Sequence, residues 1–348
     1  MKRLTWIDCV KTVAILAVMV DHTYGVLYEN RNIQMGSFFS VSLFILMMGI
    51  TTWISEEKQV DVTISQKIGR RTKKIVIPYI VATFIYTLVQ DKFFDADIFL
   101  KRVIFFNASG PFYYVALYLQ LIFINIFLYG IIKKVDGYKY SVVYKMIMLI
   151  IMLPIASLAV NYSDIYGIYG GGGKLLGGTY FLLSYSGMLM APWLLKRKSR
   201  VYLGVLTGTS GVLLIGWYLF VFTDNFHIDS YIPFGLGKNP PSITAMIMAI
   251  LMLFFSYGIF SLWSMSDDKF VLSLENWISI IGKNSLYIFL YHRLILDYYL
   301  RLKIDMDNMW AKRFIYLICM VVLPMVGRAA YIKIKNALLS KEDAGQKV

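Results

Sequence analysis

Residues 6–28 read WIDCVKTVAILAVMVDHTYGVLY. The run is long enough to cross a hydrocarbon layer, for which a helix needs about 20 mainly apolar residues. It nevertheless carries Asp8, Lys11, Asp21 and His22 in one expected helix. Ionisable groups inside a span are expensive, so they face a bundle interior, a water-filled cavity or one another. Lys11 and His22 are eleven positions apart. That is about three helical turns, which puts both on nearly the same face with a rise of about 16 Å between them. Asp8 lies on that face too, three residues before Lys11. The sequence thus predicts a first helix with a polar stripe from the inner boundary into the outer half of a membrane. An Asp8–Lys11 pair near the interface also has a plainer reading, as snorkelling charges that orient the helix. Adjacent residues on a helix do not face each other, so Asp21 either polarises His22 loosely or answers to another helix.

Nine more apolar runs follow, near Gln34–Ile54, Ile75–Gln90, Phe112–Ile132, Val142–Val160, Leu175–Leu195, Val201–Phe222, Ser242–Trp263, Trp277–Tyr299 and Phe314–Ile334. The third is short, and Phe99–Phe106 is too short to cross, which suits an interfacial or re-entrant piece. The expected fold class is all-α: a polytopic membrane helix bundle with about ten transmembrane helices. Composition agrees. The chain of 348 residues is 58% hydrophobic and only 16% charged, against about 25% charged in an ordinary soluble domain. Its mean hydropathy is +0.61. The runs are spread evenly, so residues 1–340 are expected to form a single membrane domain, with 341–348 as a short cytoplasmic tail.

The net charge of +14 does not point to nucleic acid, because the positive residues sit in short loops between apolar runs. With both termini in the cytoplasm, the inner loops hold twice as many Lys and Arg as the outer ones, mainly through Lys58–Lys74 and Lys196–Arg200. This is the bias that orients multi-pass proteins. Cys9 and Cys319 lie far apart in apolar runs and imply neither a disulfide framework nor a metal site. No cleavable signal peptide is expected, since the first run is long, charged and lacks a small-residue cleavage site. Gly170–Gly173 reads as an external turn rather than a phosphate loop, and Ser242 after Pro240-Pro241 reads as a helix start.

Two further clusters carry chemistry. The ninth run contains Gly282-Lys283-Asn284-Ser285-Leu286-Tyr287 and then His292. His292 is either a hydrogen-bonding strut between helices or part of a site, while His227, in a polar external loop, reads as solvated. Lys67, Arg70, Arg71 and Lys74 precede Pro78-Tyr79. They serve either as topogenic charge beside anionic headgroups, worth about 1 kcal/mol each, or as a cradle for a phosphorylated cytosolic donor.

The order of these pieces resembles the acyltransferase 3 family of integral-membrane acyltransferases. Arg3-x-x-x-Ile7-Asp8-x-x-Lys11-x-x-Ala14-Ile15 followed by His22 is similar to its opening motif, a basic residue, ten positions and a histidine; the family more often has Arg where this chain has Lys11. Phe39-x-x-Ser42-x-Phe44-x-x-x-x-Gly49 resembles its second span, and Arg70-Arg71-x-x-x-Ile75-x-x-Pro78-Tyr79 its basic loop and third span. Gly110-Pro111-Phe112-Tyr113-Tyr114-Val115 resembles the segment before its fourth span, with Tyr113 where Trp is more usual. Gly282 to His292 resembles its late Ser/Tyr/His segment.

The resemblance implies transfer of an acyl group, usually acetyl, from cytosolic acyl-CoA (acetyl-CoA) to a hydroxyl of a cell-envelope or exported glycan. It implies a catalytic group of His22, Asp21 and Lys11, with His22 as general base or acyl carrier and Lys11 holding the donor or helping relay the acyl group. Arg70, Arg71 and Lys74 would meet donor phosphates. Asp8, Tyr113, Ser285 and His292 would be substrate-binding or structural polar residues. No metal is called for. The expected surroundings are the bilayer of a bacterial plasma membrane, and the sequence permits a homo-oligomer. Two other functions fit the same stripe: a carrier or exporter of a small solute or polysaccharide intermediate, and a structural member of an envelope-synthesis complex.

Overall fold

The computed structural model describes residues 4–59, 61–91, 94–163, 178–222, 241–301 and 309–345. The regular secondary structure of these residues is all helical, with no strand among them. In chain order the helices are α1 (Thr5–Thr23), α2 (Arg31–Met35), α3 (Phe39–Lys58), α4 (Ile64–Asp91), α5 (Ala96–Phe105), α6 (Tyr113–Asp136), α7 (Ser141–Ser163), α8 (Gly178–Leu195), α9 (Arg200–Phe222), α10 (Ile243–Trp263), α11 (Lys269–Lys283), α12 (Ser285–Arg301) and α13 (Met309–Gly345). Six stretches among the described residues are long and apolar enough to cross a membrane: Arg31–Lys58, Ile64–Asp91, Gly110–Asp136, Arg200–Phe220, Ile243–Trp263 and Trp310–Lys333. Ser141–Met152 and Tyr180–Leu195 are shorter apolar helices. The short third run proves to be the apolar part of a 28-residue helix. Phe99–Phe106 coincides with α5, ten residues with no buried side chain. Arg3, Lys174, the Gly170–Gly173 turn and His227 lie outside the described residues. Ser242 starts α10 as expected, its Oγ accepting from the Ala245 N–H at 3.3 Å.

Where the helices pack tightest, glycine makes it possible. A Cβ on Gly49 would overlap the Ser184 carbonyl, and one on Gly187 the Leu46 carbonyl, so α3 and α8 are in backbone contact. Gly282 brings α11 onto α1 the same way, against the Asp8 carbonyl. Small residues at helix crossings are how membrane bundles replace the missing hydrophobic drive with close packing. The outcome is that α1 is central, touching α3, α10, α11 and α12. Cys9, Val10, Ala14 and Ile15 on it are fully buried. On the periphery, α7, α9 and α13 expose Val142, Ile150, Val201, Ile215, Phe314 and Val326, as lipid-facing surfaces would.

Two expected runs end differently from the reading of the sequence. The first stops at Thr23 rather than Tyr28, because Gly25 takes a positive φ of 75°. The chain then folds back, with the Gly25 N–H on the Tyr28 carbonyl at 2.8 Å and the Tyr28 hydroxyl donating to the Val20 carbonyl at 2.6 Å. The ninth run is not one helix but two, α11 and α12, parted at Asn284. The Asn284 side-chain N–H donates to the Ile280 carbonyl at 2.7 Å, competing with the backbone as asparagine does inside helices. Arg328 completes the break from α13, donating to the Lys283 carbonyl at 2.8 Å and to Asn284 Oδ1 at 2.7 Å. The last helix also runs on to Gly345, past residue 340.

Candidate active site

Two polar regions flank the middle of α1. The one toward its N-terminus is a cavity of about 450 Å³ whose wall combines Asp8 and Lys11 of α1, Lys74 of α4 and Lys283 of α11. Phe44, Met47 and Met48 of α3 and Leu286 of α12 supply an apolar side, and Ser285 lies at the start of α12. Three ammonium groups thus share one space with a single carboxylate. The close approach at Gly282 sets Lys283 beside Asp8, and the Arg328-held break fixes where α11 ends. Of the basic residues on α4, only Lys74 reaches this wall. Lys67 and Arg71 instead pair with buried Glu56 at 2.8 and 2.6 Å, while Arg70 is exposed. Tyr114, rather than its neighbour Tyr113, lines the cavity.

At its other end the cavity reaches Phe289, whose ring centre is 6.0 Å from that of His292. There the second region begins. His22 Nδ1 and His292 Nε2 are 2.7 Å apart, and the two rings stack at 5.0 Å. His292 is fully buried. Its Nδ1 lies 2.8 Å from the Phe289 carbonyl and 3.2 Å from the Ile288 carbonyl. Asp21, 8% exposed, has Oδ2 at 3.9 Å from His22 Nε2. That is too long for a hydrogen bond but close for an ion pair with a protonated ring. Its Oδ1 accepts from Gln34 Nε2 at 3.1 Å.

A family model described as an acyltransferase domain, that of acyltransferase 3, matches residues 4–328. The chain belongs to the acyltransferase 3 family. No curated protein and no solved structure matches it. With its apolar helices, membership makes this a multi-pass membrane acyltransferase.

In this acyltransferase 3 protein, the hydrogen bonds determine which nitrogen of His22 can take a proton. A carbonyl oxygen can only accept, so His292 Nδ1 carries its proton. In a neutral ring Nε2 is then the acceptor, and His22 Nδ1 must be the donor across the 2.7 Å contact. The lone pair of His22 therefore lies on Nε2. This tautomer is assigned from the network of partners. A histidine fixed in this way, with a carboxylate near its basic nitrogen, can accept a proton or act as a nucleophile. Positive charge gained by His22 would also sit in the last turn of α1, where the helix dipole favours a cation. Among the described residues there is no group of three or more His, Cys, Asp or Glu suited to a metal.

The stripe read from the sequence is thus split between two settings: Asp8 and Lys11 in the cavity, Asp21 and His22 in the imidazole network. Three residues in these settings received no role from the sequence. Lys283 was visible only as part of the late motif. Gln34 sits where a membrane run was expected to start, thirteen residues from Asp21. Arg328 lies at the far end of the last run. Lys283 and Arg328 gain their places by contacts between helices distant in sequence, and Gln34 by the fold-back of the chain between α1 and α2.

Proposed function

We propose that the protein moves an acyl group, acetyl in the first instance, from cytosolic acyl-CoA to a hydroxyl of a cell-surface or exported glycan, with His22 as general base. The observation that carries the reading is the 2.7 Å imidazole pair, which puts the basic lone pair of His22 on Nε2 beside Asp21. Thioester acyl transfer needs such a base at neutral pH. The acceptor oxygen bonds to the carbonyl carbon while its proton passes to His22 Nε2. The carbon–sulfur bond breaks, and the departing thiolate takes that proton, restoring the base. If His22 instead carries the acyl group, the same lone pair bonds to the carbonyl carbon, the carbon–sulfur bond breaks to release the thiolate, and His292 Nε2 is placed to receive the Nδ1 proton. The acceptor oxygen then bonds to the acyl carbon, the carbon–nitrogen bond breaks, His292 returns the proton to Nδ1, and the acceptor's proton passes to the thiolate. The cavity suits the donor: Lys11, Lys74 and Lys283 would meet phosphates as point charges, and Phe44, Met47 and Met48 offer an apolar wall for the arm that bears the thioester. The same reading has ten spans in a bacterial plasma membrane with both termini cytoplasmic, which leaves the lysine cavity toward the cytosol and the imidazoles toward the outer half.

The test is acyl transfer in proteoliposomes supplied with labelled acetyl-CoA and a panel of glycan acceptors. Label should leave the donor with the wild type and not with His22→Ala, and Lys11→Ala should impair the use of donor. A folded wild type that transfers no label to any acceptor would overturn the proposal and move the assignment to a carrier using the same polar path.

A further inference from the structure

We infer that Gln34 is a positioning residue of this site, whose side-chain amide holds the Asp21 carboxylate in place for His22. The inference rests on the reading of His22 as the reactive base.

Gln34 is only 8% exposed, and both ends of its amide are committed. Nε2 donates to Asp21 Oδ1 at 3.1 Å, and Oε1 accepts from Arg31 Nη1 at 3.3 Å. A carboxylate can only accept and a guanidinium can only donate, so this is the one orientation of the amide that serves both partners. The donated bond stabilises the charged carboxylate where burial opposes it. It occupies Oδ1, and Oδ2 is then the oxygen that lies 3.9 Å from His22 Nε2.

The support beneath Gln34 is itself built. Asn30 caps α2, its Oδ1 accepting from the Asn32 and Ile33 N–H groups at 3.0 and 3.3 Å. Ser37 Oγ donates to the Gln34 carbonyl at 2.6 Å. From α9, the Tyr218 hydroxyl donates to the Asn32 carbonyl at 2.9 Å. A helix of five residues would not hold a side chain still by itself; these three contacts do it from outside. The network thus runs Arg31, Gln34, Asp21, His22, His292 and ends on the backbone of α12. Arg31 is its exposed end and also lies over the Tyr24 ring at 5.8 Å.

The experiment uses the full-length protein in nanodiscs with ring-¹⁵N histidine. The chain has three histidines, so His22 can be assigned from single-site variants. In Gln34→Met, which keeps the side chain's bulk, the His22 ring resonances should move in the same direction as in Asp21→Asn. In the Asp21→Asn background Gln34→Met should move them no further. In the transfer assay Gln34→Met should lower kcat about tenfold, the scale of one lost hydrogen bond to a charge, with the donor KM unchanged. Should Gln34→Met fail to fold, Gln34→Leu gives the same test, since its side chain likewise has no donor for Asp21. A His22 resonance that Asp21→Asn moves and neither Gln34 variant does would overturn the inference, as would additive effects in the double variant. A wild type inactive in transfer would count against the acyltransferase reading alone, because the resonance measurement needs no turnover.

Discussion

Near its N-terminal end α1 contributes Lys11 and Asp8 to a cavity shared with lysines from two other helices. Near its C-terminal end it contributes His22 to a 2.7 Å contact with His292 and Asp21 to a 3.1 Å hydrogen bond from Gln34, with the carboxylate 3.9 Å from the His22 ring. The cavity works with ammonium groups on long flexible stems, which attract an anion without fixing its position. The imidazole region works with planar rings and an amide, whose partners are set by ring geometry. Charge attraction falls slowly with distance, whereas proton transfer needs atoms within hydrogen-bond reach. The two regions should therefore respond to substitution in different ways: shallow, charge-dependent and confined to donor affinity in the cavity, steep and confined to turnover at the imidazoles.

The sharpest break of this comparison comes at His22. His22→Ala should lower kcat about 10³-fold, within the range of lost acid–base catalysis, with the donor KM held, as read from initial rates against donor concentration. Gly282→Ala tests the joint between the regions. Its Cβ would overlap the Asp8 carbonyl, so either α11 moves off α1 or stability drops by about 3 kcal/mol. A lowered midpoint in detergent melting, with the donor KM raised, is the expected result; an unchanged protein would show that the cavity does not depend on this contact. His292→Ala should lower kcat about 100-fold, because it removes the acceptor that keeps the proton on His22 Nδ1. His292→Gln should recover part of this, since a side-chain oxygen can also accept. The smallest effect belongs to the cavity: Lys283→Ala should raise the donor KM about fivefold, the scale of about 1 kcal/mol. Lys283→Arg should stay near wild type, and added salt should narrow the gap. A kcat effect at Lys283, or a pure KM effect at His292, would erase the distinction between the two regions.

Much of this was legible from residue spacing. Lys11 and His22 on one face of a long apolar run mark α1 as the candidate functional helix, and in the structure that helix packs against four others. The late Ser/Tyr/His segment was recognisable too, but not that Asn284 divides it. A polar residue in an apolar run does not reveal whether its side chain will cap its own helix, and here the outcome depends on Arg328, 44 residues further on. The basic loop shows the same limit. Five cations in eight residues look alike in sequence, yet Lys67 and Arg71 are taken by Glu56 and only Lys74 reaches the cavity.

What the sequence determined by itself is the class and the cast: an all-helical membrane chain, since only helices of this length satisfy their backbone in lipid, with a histidine and a lysine placed in phase by the 3.6-residue period. The tertiary structure decided which of these groups meet. His22 and His292 are 270 positions apart, and nothing local in the sequence signals their contact. It arises because glycines let α11 and α3 pack against their partners at backbone distance and because a hydrogen-bonded break redirects α12. Which nitrogen of His22 is basic follows from that contact alone, because a tautomer is a property of the partners and not of the residue.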